Sequence, residues 1–150
     1  MKKIVKFAMV SLVVMLATAC DKVADTGNDY LDVTHNNISG VWHMESYDNG
    51  ATLGEGSYYY IVFERAERTF TTYDNLASME VYKRSGRYDI YTDNAAIIRG
   101  MYDFGQGDWE HRYYVRDLTK ERMVWVAVDD ESIVQVYVRA TLPEWIPTEE

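Results

Sequence analysis

The chain has 150 residues, 47% of them hydrophobic, and a formal net charge of −9 at pH 7. This length and composition suit a single globular domain with a buried core. The excess of acidic residues disfavours contact with the phosphate backbones of nucleic acids, because like charges repel. We therefore expect no nucleic-acid partner.

The first twenty residues have the three parts of a secretory signal. Lys2, Lys3 and Lys6 form a basic start, an apolar run covers residues 7–16, and small residues precede Cys20. The run is too short for a membrane-spanning helix. The ending resembles a bacterial lipoprotein signal, in which the cysteine is acylated and becomes the new N-terminus. The alternative is an ordinary cleaved signal, although Cys20 is the only cysteine in the chain and has no partner for an internal disulfide.

This resemblance divides the chain into four parts. Residues 1–19 are the signal peptide, and a lipid on Cys20 would anchor the protein to a membrane of the bacterial cell envelope, with the outer membrane favoured over the inner. Residues 20–37 are the lipidated cysteine and an acidic, polar tether without apolar periodicity, which predicts flexibility. Residues 38–142 form one domain, and residues 143–150 are an acidic tail. Loss of the three signal lysines leaves a net charge near −12.

The domain contains about eight short runs rich in β-branched and aromatic residues, separated by Asp, Asn and Gly. Separators of this kind favour hairpins over long crossover connections. Consecutive hairpins predict an all-β fold, an up-and-down antiparallel barrel of about eight strands, with a sandwich as the alternative.

Alternation along the runs assigns some side chains to the interior. Trp42 faces inward in the first run, and Trp109, His111 and Tyr113 share the inner face of the sixth. The sequence therefore predicts an interior rich in aromatic rings.

The last hairpin is ambiguous because both of its faces are apolar. An even-numbered turn at residues 129–132 would pair Val126 with Gln135 and Val124 with Tyr137. Periodicity does not choose the inner face, and one face is expected to meet a partner or the C-terminal tail.

The segment Gly40-Val41-Trp42, the strands that follow it, and the ending Tyr137-Val138-Arg139-Ala140 together resemble the lipocalin-like lipoproteins of the bacterial envelope. In that family the tryptophan plugs the closed end of the barrel and an arginine of the last strand packs across its ring. The resemblance implies a closed-end pair of Trp42 and Arg139. It also places residues 48–56 at the open end, as a flexible lid or as a long hairpin loop. The family's Thr-Asp-Tyr motif and its disulfides are absent from this sequence.

Thirteen tyrosines and four tryptophans suit either an aromatic-lined cavity for a small apolar ligand or a barrel packed solid with rings. The candidate lining residues are Phe63, Trp109, His111, Tyr113 and Trp125. The three histidines do not converge in the predicted alternation, so we expect no metal site and no cofactor. No catalytic motif is apparent, and we expect the protein not to be an enzyme.

Two functions are compatible with this pattern. The first is a membrane-anchored, lipocalin-like protein that binds a small apolar or aromatic ligand in or at the mouth of the barrel. The second is a solid β-barrel interaction module, such as an inhibitor or accessory subunit of an envelope protein complex.

Overall fold

The computed structural model describes residues 29–92 and 94–148, so the predicted signal peptide and Cys20 lie outside the described residues. In chain order the elements are α1 His35–Ile38, β1 Gly40–Ser46, β2 Tyr59–Glu64, β3 Thr69–Asp74, β4 Tyr82–Thr92, β5 Ala96–Tyr102, β6 Tyr113–Arg116, β7 Arg122–Ala127 and β8 Val134–Arg139. Each strand pairs antiparallel with its neighbour in sequence, and β1 pairs with β8 to close the barrel. The predicted all-β up-and-down barrel is confirmed.

The direction of the strands gives the barrel two different ends. The helix α1, the connections β2–β3, β4–β5 and β6–β7, and the end of β8 lie at one end, which is called the closed end below. The connections β1–β2, β3–β4, β5–β6 and β7–β8 lie at the other, which is called the mouth. Residues 48–56 belong to the β1–β2 connection and are therefore at the mouth, as the family resemblance implied.

Trp42 and Arg139 meet at the closed end. Trp42 is fully buried, and its indole Nε1–H donates to the Ile38 carbonyl oxygen at 2.7 Å. The Arg139 guanidinium carbon lies 3.8 Å from the centre of the Trp42 ring. A desolvated cation–π contact of this kind contributes about 1–2 kcal/mol. The ring therefore fills the base of the barrel, and the cation covers it.

Backbone carbonyl groups around this pair accept hydrogen bonds from the Arg139 guanidinium. Its nitrogens donate to three carbonyl oxygens, those of Ser39 at 2.7 Å, Asn37 at 3.1 Å and Lys120 at 3.1 Å. Gly40 has a φ of +111°, and a Cβ there would lie 3.0 Å from Arg139 Nη1. Glycine is favoured at this position because it tolerates the backbone angle and leaves room for the guanidinium.

The polar segment before the barrel differs from its prediction as a tether. From Leu31 onward it packs on the closed end, where the Leu31 amide donates to the Leu118 carbonyl at 2.7 Å. Leu31 and Val33 contact the hydrophobic core, and Ile38 is fully buried. Leu31 and Val33 alternate with polar residues and form no continuous apolar run, so the sequence did not predict this packing. The folded unit thus begins before the predicted boundary at Ile38.

The C-terminal segment also packs rather than extending freely from Pro143. Ile146 is 3% exposed. The Trp145 ring meets the ring of Tyr58, on the outer surface of the barrel, edge to face at 4.9 Å. Burial of apolar side chains explains why this part of the predicted tail is held.

The register of the last hairpin was predicted wrongly. Val126 pairs with Val134 and Val124 with Val136, one residue away from the predicted partners. The Asp130 carboxylate accepts from the backbone N–H and the hydroxyl of Ser132, which stabilises an odd-numbered loop. Because side chains alternate across a sheet, a shift of one residue exchanges the two faces of a strand.

Replacing Trp42 with alanine tests the closed end. The substitution Trp42→Ala should lower the free energy of unfolding by about 3–5 kcal/mol, because it leaves a cavity where a large buried ring was. Urea unfolding followed by circular dichroism measures this, with Trp145→Ala as the control, since Trp145 is 59% exposed. A loss below about 1 kcal/mol for Trp42→Ala would mean that the ring does not seal the barrel.

Candidate functional site

A cavity of about 690 Å³ opens at the mouth of the barrel. Three connections at the mouth, β1–β2, β3–β4 and β5–β6, contribute side chains such as Leu53, Leu76 and Trp109 to its wall, and the inner faces of the strands contribute others. Seven of its described lining side chains are aromatic: Tyr47, Tyr59, Tyr102, Trp109, Tyr113, Trp125 and Tyr137. The barrel is therefore packed at the closed end and hollow at the mouth.

Trp125 is the centre of the aromatic floor of this cavity. Its ring lies 4.7 Å from Tyr137, 5.2 Å from Tyr113 and 5.4 Å from Trp109, measured between ring centres. Phe63 lies beneath, 6.2 Å from Trp125, and is fully buried. Of the predicted lining residues, Trp109, Tyr113 and Trp125 reach the cavity, whereas Phe63 supports its floor.

Tyrosine hydroxyls add hydrogen-bonding groups to this aromatic floor. The Tyr137 hydroxyl donates to Gln135 Oε1 at 2.9 Å, and Gln135 Nε2 donates to the Tyr113 hydroxyl at 3.5 Å. Burial raises the pKa of Tyr113 to about 12, and burial also raises the pKa of Tyr59 and of Tyr137. The phenols therefore stay protonated near neutral pH, when each can donate or accept a hydrogen bond.

Trp109 separates the mouth from a second cavity. The Trp109 amide donates to the Gly100 carbonyl at 2.9 Å, and a Cβ on Gly100 would lie 2.1 Å from the Trp109 ring. Glycine at this position is what lets the ring lie flat against β5. A cavity of about 560 Å³ lies on the other side, along β4 and β5, and Trp109 lines both.

His111 lies at the second cavity and not inside the barrel, so its predicted inward position was wrong. Met101 pairs with Asp108, whereas Ile98 pairs with Tyr113, so the chain after Asp108 contains two more residues than the β5 segment that it faces. These two extra residues form a β-bulge. An even number of extra residues keeps Trp109 and Tyr113 inward but takes His111 out of the strand.

The His111 ring contacts the β7–β8 turn. Its Nδ1 lies 3.0 Å from both carboxylate oxygens of Asp129, and this hydrogen bond lowers the pKa of Asp129. The described lining of the second cavity includes no Ser, Thr or Cys side chain that could serve as a nucleophile. The pair joins two connections at the mouth, and it holds the bulge against the turn.

A charged pair lies on the inner face of the barrel near the mouth. Arg84 Nη2 is 3.6 Å from Asp74 Oδ2, and the Asp74 side chain is only 4% exposed. The Arg84 guanidinium also lies over the rings of Tyr102 and Tyr82, at 4.6 Å and 5.2 Å from their centres. Charged side chains at inward strand positions are not expected from alternation, because burial of a charge is costly.

Comparison with known proteins agrees with this geometry. A family model described as a lipocalin-like domain matches residues 38–125. The chain belongs to the lipocalin-like domain family. A solved structure, a lipocalin-like protein from Bacteroides uniformis, is similar to this chain with a TM-score of 0.51 and 16% sequence identity. The similarity covers 69% of this chain and 99% of that one, and it concerns the fold alone. No curated protein matches the sequence.

Within this lipocalin-like domain, sequence reasoning missed several residues of the mouth. Tyr59 could have been found by counting back in steps of two from Phe63, and Tyr137 by counting back from Arg139. No pattern in the sequence indicates that Arg84 lines the mouth. In residues 29–92 and 94–148, no group of three or more His, Cys, Asp or Glu side chains is placed to hold a metal ion.

Proposed function

We propose that this lipocalin-like protein is a membrane-anchored lipoprotein that binds a small apolar or aromatic molecule at the mouth of its barrel. The observation that carries the proposal is the aromatic-lined cavity of about 690 Å³. Ligand pockets typically measure about 300–1,000 Å³ and combine apolar walls with a few polar groups. The volume of this cavity lies in that range, and aromatic and polar side chains share its wall.

The chemistry of the walls supports an aromatic or flat apolar ligand. Rings such as Trp109, Tyr113 and Tyr137 offer large faces for stacking and for edge contacts. Tyr59 and Tyr102 line the cavity, and each carries a phenol hydroxyl. These hydroxyls would orient a polar group of the ligand.

The position of the N-terminal segment supports an orientation relative to the membrane. The described chain begins at Asp29, and Leu31 is held at the closed end by Leu118. Eight residues lie between Cys20 and Asp29, so the two are at most about 30 Å apart when the chain is extended. An acyl group on Cys20 would therefore tether the closed end, and the mouth would point away from the anchoring membrane. In the described part of the chain, no helix has the length and apolar character to cross a membrane.

One observation favours the second function, an interaction module of an envelope complex. Leu76 and Met79 in the β3–β4 connection and Phe104 in the β5–β6 connection are 52%, 96% and 97% exposed. Exposed apolar side chains on neighbouring loops are a feature of protein-binding surfaces. The hollow mouth favours the ligand-binding function over this one.

A neutral fluorescent probe tests ligand binding. The chain from Asp21 to Glu150 contains every strand of the barrel, and we expect it to bind N-phenyl-naphthylamine with enhanced probe emission. Gln135→Trp should weaken binding at least about fivefold by filling the cavity. Val134→Trp, on the outer face of the same strand, is the control. Unchanged binding in Gln135→Trp, or no binding to the original chain, would contradict the proposed site.

Metabolic labelling tests the anchor. Cells that express the full chain should incorporate labelled palmitate into the protein, and Cys20→Ala should abolish the label and release the protein from the membrane fraction. Two or three acyl chains are needed for stable anchoring, since each buried methylene contributes only about 0.8 kcal/mol. Membrane retention of an unlabelled Cys20→Ala protein would show that the anchor lies elsewhere.

A further inference from the structure

The ion pair of Arg84 and Asp74 lies at the wall of the mouth cavity. Arg84 lines the cavity, and Asp74 lies beside it on the neighbouring strand with its side chain 4% exposed. The closest nitrogen–oxygen distance, 3.6 Å, is too long for a strong hydrogen bond. The two charges thus neutralise each other without being tightly bonded.

Both partners lack some of the hydrogen bonds that a buried charge needs. Asp74 Oδ2 and Arg84 Nε are buried and have no hydrogen-bond partner among the described residues. Asp74 Oδ1 accepts only from the Leu76 amide, at 3.2 Å. The rings against the guanidinium contribute attraction to its face but no acceptor atoms in its plane. Arg84 lines the cavity, so a ligand group that accepted a hydrogen bond from its guanidinium would gain affinity.

A charged ligand would break this pair. A carboxylate that bound Arg84 would compete with Asp74 for the guanidinium and would place a second negative charge beside a buried carboxylate, whereas an ammonium beside Arg84 would meet its positive charge; both are unfavourable. Anions meet a second obstacle. Asp48, Asp108 and Glu110 line the mouth, where Arg84 is the only cationic side chain among the described lining residues. Repulsion by these carboxylates disfavours an acid at the same place.

An uncharged head group has neither problem. The oxygen of an amide or an alcohol can accept a hydrogen bond from the Arg84 guanidinium without bringing a second negative charge to Asp74. We propose that the mouth selects neutral ligands, with an aromatic or flat apolar body and an amide or hydroxyl head group, and rejects the corresponding carboxylates. This inference rests on the proposed function and identifies the class of ligand that the same site takes.

Two probes of equal shape test the selection. Naphthaleneacetamide is neutral and carries both donor and acceptor, whereas naphthaleneacetate is an anion that only accepts. Titration of the chain from Asp21 to Glu150 at neutral pH, followed by tryptophan fluorescence or calorimetry, should give a dissociation constant at least about tenfold lower for the amide.

Two variants assign the selection to the pair. In Asp74→Asn the arginine has lost its carboxylate, so the acetate should bind about tenfold more tightly than to the original chain. A gain of affinity cannot arise from unfolding. Arg84→Gln should lower the affinity for the amide. Lys83→Gln is the matched control, because Lys83 is exposed on the outer face of β4 and should keep the original ratio.

The outcomes separate the two proposals. If N-phenyl-naphthylamine binds, any one of three results would overturn the charge selection and leave the ligand-binding function standing. These results are equal or tighter binding of the acetate than of the amide, no binding of the amide, and no gain of acetate affinity in Asp74→Asn. Failure of all three probes to bind would overturn the ligand-binding function itself.

Discussion

The stack of Arg139 on Trp42 is the contact on which the rest of the barrel depends. A cation at the base of a hydrophobic core is tolerated only when its hydrogen bonds are satisfied. Here the three carbonyl acceptors come from the segment before β1 and from the β6–β7 connection. One side chain therefore joins the first strand, the last strand and two connections, and it covers the ring that fills the closed end.

The two ends of the barrel differ because the stack of Arg139 on Trp42 fills only the closed end. At the closed end, Trp42, Ile38, Leu118 and Met123 are at most 2% exposed. At the mouth, the rings around Trp125 pack against one another and leave a cavity above them. The same aromatic side chains thus belong to the hydrophobic core on one side and to the cavity wall on the other. The long connections stand at the mouth, where their polar backbone reaches water.

The sequence was most informative where a strand is regular. Alternation was sufficient to place Trp42 and Tyr113 inside, because both lie on strands, and it placed Trp109 correctly only because the connection before β6 holds an even number of extra residues. Alternation failed for His111. A bulge of two residues leaves the flanking side chains on the same face as before, so the sequence pattern does not reveal it. It also failed for the last hairpin, where a side-chain hydrogen bond of Asp130 sets the loop length.

Other features depended on tertiary contacts that no local pattern reveals. The packing of Leu31 on the closed end requires the β6–β7 connection, which is far away in sequence. Arg84 points inward because its guanidinium contacts Asp74 and two tyrosine rings, which all lie on inner strand faces. A polar residue at an inward position departs from the local rule, and such departures are expected at functional sites.

Native mass spectrometry of the mature protein, released gently from the envelope without denaturant, tests the central claim most directly. The claim is that the barrel is sealed at Trp42 and occupied by a small molecule at the mouth. The account predicts a discrete mass adduct that is lost on unfolding and is absent from Gln135→Trp. An adduct of equal abundance in Gln135→Trp would contradict it, as would a bare protein mass that stays bare after neutral aromatic amides are added.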